Sequence, residues 1–110
     1  MKRKIRFGII GCSQIADSST IPAILESKFA EIEIIGSRII NKAKQFAKKF
    51  DCEKYGNYED VLKDKNVDAV YISVPVGLHE KWVIQAAKYK KHILCEKSAT
   101  TSYASAKKII

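Results

Sequence analysis

Residues 7–16 read FGIIGCSQIA, in which an apolar strand runs into a turn suited to binding phosphate. Gly11 permits a tight turn from strand to helix, and the free backbone N–H groups at the start of that helix then point at an anion. The dinucleotide pattern G-x-G-x-x-G/A has a second glycine where this chain has Ser13. That hydroxyl either crowds a diphosphate or donates to it. The segment favours a dinucleotide site, with a tight turn in another kind of α/β protein as the alternative.

A second candidate site follows the next isoleucine-rich run, residues 32–37. Proteins that bind NAD usually place Asp or Glu there to accept from the ribose hydroxyls, whereas this chain has Gly36, Ser37 and Arg38. An arginine offers two parallel donors and a permanent charge, which suits a ribose 2′-phosphate. Lys42 adds positive charge nearby. The pattern favours NADP over NAD, and the alternative is that Arg38 is an ordinary surface cation.

Two further segments carry side chains suited to ligand binding or catalysis. His79 lies four residues after Pro75, at the predicted start of a helix, where it either hydrogen-bonds a cofactor or substrate or simply begins the helix. Residues 95–98, CEKS, end a later apolar strand. A lysine ammonium at that place is suited to polarise a carbonyl or alkoxide during hydride transfer, and a surface ion pair of Glu96 with Lys97 is the alternative.

Four apolar runs predict the strands that position these segments, at residues 5–10, 32–37, 67–74 and 92–95. The third of these strands, residues 67–74, ends at Pro75 because proline cannot donate to a sheet ladder. Segments of helical character alternate with the strands, and the connections are short. This alternation predicts βαβ units and an α/β fold with a doubly wound parallel sheet.

Capping residues and apolar spacing predict where the helices begin and which face is buried. Thr20, with Pro22 in the first turn, predicts one helix start, Asn41 a second, and Asn57 with Asp60 a capping box for a third. The predicted inner faces consist of Ala43, Phe46, Ala47 and Phe50 in one helix and of Trp82, Val83, Ala86 and Ala87 in another. A last helix is expected from Ser102 onward.

Composition limits the class of protein. The 110 residues, 46% of them hydrophobic, suffice for one domain, and no apolar run reaches the roughly 18 residues that span a bilayer. The net charge of +8 lies at the two ends, without a basic stripe interleaved with aromatics, so nucleic acid is not expected as a partner. The three cysteines form no C-x-x-C pair, which indicates neither a disulfide framework nor a metal site. We expect a cytoplasmic protein with reduced thiols.

The motifs taken in order are FGIIGCSQIA, SR, VDAVYISVP followed by LH, and KHILCEK. Together they resemble the nucleotide-binding domain of the glucose-fructose oxidoreductase, inositol dehydrogenase and MocA family, over essentially the whole chain. The resemblance implies a Rossmann domain over residues 1–110, followed by a larger α+β substrate domain that is absent here. It also implies oxidation or reduction of sugars, inositols, nucleotide-linked sugars or related diols with NADP, or with NAD.

By the same resemblance, the pyrophosphate is held by Gly11, Cys12, Ser13, Gln14 and Ile15 and the adenosine ribose by Ser37 and Arg38. The resemblance also implies that the nicotinamide half is bound by Val74, Pro75 and His79, and that Glu96 and Lys97 bind the cofactor near the reacting carbon. Lys97 is the implied catalytic acid or electrostatic stabiliser.

The chain departs from the family pattern at Ser13, at Val76 in place of an asparagine, and at Ser98 in place of the proline of EKP. These departures leave open a nucleotide-binding module without catalysis. The expected partners are a small sugar-like substrate and, in the full-length form, further copies of the chain, with no membrane and no nucleic acid. The 110 residues by themselves are expected to be inactive.

Overall fold

The fold is built on a five-stranded sheet of parallel strands, seen in a computed structural model that describes residues 4–14 and 16–95, apart from the side chains of Val76 and Cys95. The strands are β1 (Ile5–Ile10), β2 (Ala30–Gly36), β3 (Tyr55–Gly56), β4 (Ala69–Ile72) and β5 (His92–Cys95). They lie in the order β3-β2-β1-β4-β5, and every pairing is parallel. The doubly wound parallel sheet predicted from the sequence is confirmed, and the order is that of the Rossmann fold.

Helical segments connect the strands and cover both faces of the sheet. A π-helical turn, Ala16–Thr20, leads directly into α1 (Ile21–Glu26), and the later helices are α2 (Ile40–Lys49), α3 (Tyr58–Lys63) and α4 (Val76–Lys88). One apolar cluster joins Ile9, Ile35 and Tyr71 of the sheet to residues of α1 and α2. The other joins Ile10, Val70 and Ile72 to residues of α3 and α4. Neighbouring strand residues thus point into opposite layers, as the twofold period of a strand requires.

The predicted inner faces are largely confirmed. In α2, Ala43 and Ala47 are buried while Phe46 and Phe50 pack edge to face. In α4, Trp82 packs edge to face on Tyr58, with ring centroids 4.9 Å apart, which makes it a core residue. Ala87 is exposed, so its place on the inner face was wrong. The helix turns Ala86 inward and leaves the next residue facing solvent.

Of the three predicted caps, one is confirmed. The Asn57 side-chain oxygen accepts from the Asp60 backbone N–H, and the Asp60 carboxylate accepts from the Asn57 backbone N–H, which makes a complete capping box. Thr20 makes no cap because the chain is already helical there, and its hydroxyl donates to that of Tyr71 instead. Asn41 lies inside α2, which begins one residue earlier, at Ile40.

Local sequence signals also missed the π-helical turn and the two-residue strand β3 and overestimated the length of β4, which covers only Ala69–Ile72. Four predictions lie outside the described residues: the position of Ile15, the segment with Glu96 and Lys97, the departure at Ser98, and the helix from Ser102.

Candidate functional site at the carboxyl edge of the sheet

Three loops meet where strands β1, β2 and β4 end. The register pairs Ile10 at the end of β1 with Gly36 on one side and Ile72 on the other, so the residues that follow all three are neighbours. The strand order reverses at this point, because β2 follows β1 on one side and β4 lies on the other. Ligands of doubly wound sheets bind in the crevice that such a reversal creates.

Gly11 makes the tight turn that the sequence predicts. Its φ of +107° belongs to the region that side chains disfavour, and a Cβ built on it overlaps the backbone oxygen of Ser73. Its N–H donates to the Gly36 carbonyl at 3.1 Å, which ties the turn to β2. Only glycine fits this position, because any side chain collides with the neighbouring strand.

Ser13, which replaces the second glycine of the dinucleotide pattern, caps the helical segment that follows. Its Oγ accepts from the Ala16 N–H at 3.0 Å, and its carbonyl accepts from the Asp17 N–H at the same distance. The Ser13 Oγ also lies 2.5 Å from the Ser73 Oγ at the end of β4. The substitution therefore leaves the turn intact and joins it to the neighbouring strand.

Cys12 lies beneath the turn as a packed thiol. It is 6% exposed, and its Sγ contacts the Gly36 carbonyl oxygen at 3.7 Å. Burial raises the pKa of the thiol to about 11, although a hydrogen bond with Ser37 and the charge of Lys42 both oppose the rise. Cys12 is consequently protonated at neutral pH and supports the turn rather than acting as a nucleophile.

Ser37 shapes the loop that carries Arg38. Its side chain is 5% exposed, and its Oγ accepts from the Ile39 N–H at 3.1 Å. Arg38 and Lys42 are exposed, and among residues 4–14 and 16–95 no carboxylate forms an ion pair with either. Two free cations thus flank the end of β2, as binding of an anion requires.

Tyr58, which sequence reasoning missed, supports this loop from below. It is 7% exposed, and its pKa is raised by burial first and by the nearby Cys12, while the Arg38 charge and a hydrogen bond with the Arg38 backbone lower it. The only sequence signal was an aromatic residue directly after the capping Asn57. Nothing in the linear pattern shows that the start of α3 packs under the end of β2.

The third loop leads from β4 into α4. Val74 is 6% exposed and packs in the core, whereas Pro75 is exposed directly before the helix. His79 occupies the first turn of α4 and is half-buried, and its Nε2 is buried without a hydrogen-bond partner in the part of the chain that the structure describes. A buried polar atom normally has a hydrogen-bond partner, so we expect this nitrogen to bond to a group outside the described residues.

Other surfaces compete less well. A cavity of about 600 Å³ opens at the opposite edge of the sheet, but Ile5, Phe7, Asp68 and Leu94 are among its lining residues, and no predicted site residue lines it. No group of three or more potential metal ligands occurs within residues 4–14 and 16–95. In the same ranges, no helix has the length and apolar character needed to cross a membrane. The chemistry-bearing loops therefore define the candidate site.

The chain is similar to several known enzymes. Residues 5–110 match the oxidoreductase family with an NAD-binding Rossmann fold. A dTDP-3,4-didehydro-2,6-dideoxy-alpha-D-glucose 3-reductase from Saccharopolyspora spinosa is 33% identical over 110 residues, which are all of this chain and 33% of that protein. D-xylose 1-dehydrogenase (NADP(+)) 2 from Haloferax volcanii is 43% identical over 97 residues, 87% of this chain and 30% of that enzyme.

A solved structure extends the comparison to three dimensions. A 3-ketoreductase from Actinomadura kijaniata in complex with TDP-benzene and NADP superposes with a TM-score of 0.87 and 36% identity. The superposition covers 97% of this chain and 34% of the ketoreductase, so this chain spans about a third of the length of the relatives it matches. Together with the Rossmann strand order and the loops described above, these matches show that the chain belongs to the glucose-fructose oxidoreductase, inositol dehydrogenase and MocA family.

Proposed function

We propose that the protein containing this chain is an NADP-preferring oxidoreductase that acts on a sugar or nucleotide-sugar carbonyl or alcohol. Residues 1–110 supply its nucleotide-binding domain, and a second domain supplies most of the substrate site. Family membership supports the reaction class, and the relatives named as NADP enzymes support the cofactor. The observation that carries the preference for NADP is Arg38 after the end of β2, which is exposed and has no carboxylate partner among the described residues.

The described residues fit a dinucleotide on physical grounds. Gly11 has the conformation that brings backbone close to a diphosphate, and the helical segment from Ala16 begins beside it. Arg38 and Lys42 are exposed and suited to a 2′-phosphate, while Ile39, 62% exposed, offers apolar surface to an adenine ring. The buried Nε2 of His79 has no hydrogen-bond partner among the described residues and lies on the side where the nicotinamide half belongs. The remaining predicted cofactor residues are Cys12, Ser13, Gln14, Ile15, Ser37, Val74, Pro75, Glu96 and Lys97.

Lys97 is the proposed acid or electrostatic stabiliser. In the sequence it comes two positions after the end of β5, the strand beside β4, and ligands of doubly wound sheets bind beyond the carboxyl ends of the strands. Bound NADP supplies the hydride acceptor or donor. When a carbonyl is reduced, the Lys97 ammonium would stabilise the negative charge that develops on the substrate oxygen and give that oxygen its proton.

Calorimetric titration of the intact protein with NADPH and NADH tests the cofactor assignment. We expect tighter binding of NADPH, and in Arg38→Ala we expect that preference to fall about 10–100-fold, because hydrogen bonds between charged groups contribute roughly 1.5–3 kcal/mol. Arg38→Lys keeps the charge without the paired donors and should retain part of the preference. Equal affinities for both nucleotides in the unmodified protein would contradict the assignment.

Turnover with a panel of sugars and nucleotide sugars tests the reaction. We expect oxidation or reduction of at least one of them, together with a loss of kcat in Lys97→Ala that exceeds any loss of NADPH affinity. A protein that binds NADPH and turns over no sugar-like substrate would instead be a nucleotide-binding module without catalysis. An unchanged kcat in the variant would remove Lys97 from the reaction.

A further inference from the structure

The Ser13 and Ser73 hydroxyls join two loops of the candidate site. Their oxygen atoms lie 2.5 Å apart, which is the distance of a short hydrogen bond. Ser13 belongs to the turn after β1, and Ser73 directly follows β4. The Ser73 backbone N–H also donates to the Ile10 carbonyl at 2.8 Å, so the partner of Ser13 is held by the sheet itself.

The environment of the two hydroxyls decides which one donates. Ser73 is 9% exposed, and Ser13 is the one partner that the described part of the chain provides for its hydroxyl. A buried O–H needs an acceptor, so the arrangement that satisfies both groups has Ser73 donating to the Ser13 Oγ. That oxygen then uses its two lone pairs for the Ala16 N–H and the Ser73 O–H. The proton of Ser13, which is half-exposed, is left free to point out of the turn.

We propose that this pair is a two-hydroxyl donor to the diphosphate of the bound dinucleotide. Ser73 donates to Ser13, and Ser13 donates to a diphosphate oxygen, which turns a departure from the glycine pattern into an added hydrogen bond. Ser13 is then a binding residue and Ser73 a positioning residue that acts through it. The inference rests on the proposed binding of NADP, and it concerns only the diphosphate, whereas Arg38 concerns the 2′-phosphate.

Calorimetry with three ligands separates these contributions in the intact protein. NADPH carries both phosphate groups, NADH lacks the 2′-phosphate, and 2′-AMP lacks the diphosphate. The variants are Ser13→Ala, Ser13→Gly and Ser73→Ala, with Arg38→Ala as the reference for the 2′-phosphate. Ser27→Ala is the matched control, because the Ser27 Oγ accepts from the Phe29 N–H beyond α1 and away from the three loops of the site.

We expect Ser13→Ala and Ser13→Gly to weaken NADPH and NADH equally, by about tenfold, since a hydrogen bond to a charged group is lost. Ser73→Ala should weaken both by about threefold, because the Ala16 cap remains while the Ser13 hydroxyl loses its support. Affinity for 2′-AMP should stay unchanged in all three variants and fall in Arg38→Ala. Ser27→Ala should match the unmodified protein throughout.

Three results would overturn the inference. Tighter binding of NADH by Ser13→Gly would show that the serine crowds the diphosphate. Unchanged NADH affinity in Ser73→Ala would show that Ser13 acts only as a helix cap, and this variant decides the matter even where Ser13→Ala fails to fold. An equal loss of 2′-AMP affinity would indicate a general distortion. Failure of the unmodified protein to bind NADPH and 2′-AMP would instead contradict the proposed function.

Discussion

Arg6 at the amino-terminal edge of the sheet lies 3.5 Å from the Asp68 carboxylate, whereas Arg38 at the carboxyl-terminal edge has no carboxylate partner in the described ranges. The same contrast holds for the lysines of the two edges. Lys54 contacts Glu33 at 2.7 Å and also pairs with Asp64, while Lys42 is exposed without an ion pair among the described residues. Both edges of the sheet carry cations, and among the described residues Arg6 and Lys54 have carboxylate partners whereas Arg38 and Lys42 have none.

The pKa values at the amino-terminal edge show how the charges there are satisfied. Burial works to raise the pKa of Asp64, but hydrogen bonds from Lys54 and from the Asn66 backbone lower it below its usual range. Lys91 donates to the carbonyl oxygens of Asp64 and Val67 at 2.8 Å each, and burial lowers its pKa. These paired charges hold loops together, whereas Arg38 and Lys42, which have no carboxylate partner among the described residues, fit the proposed nucleotide site.

At the carboxyl edge, Gly11 is tightly packed and Gly77 has open space around it. Substituting these two glycines is expected to give the largest difference in stability. Gly11→Ala should destabilise the protein by about 3 kcal/mol or more, because the Cβ meets the Ser73 oxygen and φ is positive. Gly77→Ala is the matched control, since a Cβ added to Gly77, in the first turn of α4, meets no atom within 4 Å. There we expect a gain of up to about 1 kcal/mol in helix stability. Urea unfolding measures both, and equal effects would contradict the described turn.

Two arginines test the contrast between the edges directly. Arg38→Ala should lower the preference for NADPH over NADH about 10–100-fold. It should leave the free energy of unfolding within about 0.5 kcal/mol, since the side chain is exposed and unpaired among the described residues. Arg6→Ala should do the reverse, lowering the free energy of unfolding by about 1 kcal/mol while the preference is kept. Calorimetry and denaturant unfolding measure the two properties. A loss of the preference for NADPH over NADH in Arg6→Ala would contradict the proposal that the nucleotide binds at the carboxyl edge.

The buried Cys12 thiol predicts a pH dependence of stability. Its folded pKa of about 11 exceeds the ordinary value of 9.0, so the folded state holds its proton above pH 9 while the unfolded state releases it. Stability must therefore fall as pH rises from 9 toward 11, by about 1.4 kcal/mol at pH 10 from this thiol. Urea unfolding at pH 8 and pH 10 measures the loss, and Cys12→Ala should show correspondingly less of it. An identical slope in the variant would argue against a protonated thiol under the turn.

The smallest expected effect compares two asparagines at helix starts. Asn57→Ala should lower the free energy of unfolding by about 1 kcal/mol, because the capping box of α3 is lost. Asn41→Ala should change it by less than about 0.5 kcal/mol, since Asn41 lies inside α2 and caps nothing. Thermal or urea unfolding of the two variants gives the comparison. Equal losses would show that Asn41 contributes to its helix in some other way.

Most of the fold was predictable from local patterns, and the exceptions have physical reasons. The isoleucine-rich runs and the helical spacing of Ala43 and Ala47 depend on neighbours in sequence, and both predictions hold. Thr20 failed as a cap because helical backbone begins earlier, at Ala16, where Ser13 does the capping. The two-residue β3 is too short to leave a pattern. It is defined by pairing with Ile35 and Gly36.

The candidate site was predictable as a set of strand ends, but its internal contacts were not. Sequence placed Gly11 in a tight turn and Arg38 at the end of β2, because both follow recognisable apolar runs. It left open whether Ser13 crowds a ligand or donates to it, since the answer depends on Ser73, which lies sixty positions away along the chain. Tyr58 was missed for the same reason, because its neighbours Cys12 and Arg38 are distant in sequence.

The amino-acid sequence by itself determined the parallel sheet, the family and the strand ends at which we propose that a dinucleotide binds, because these follow from the period of apolar residues and from motifs a few residues long. The tertiary structure alone decided that Cys12 is a buried thiol, that Ser37 and Tyr58 support the loop of Arg38, and that Ser13 is joined to Ser73. Those properties depend on burial and on hydrogen bonds between strands that are adjacent in the sheet. Such contacts exist only once the chain has folded.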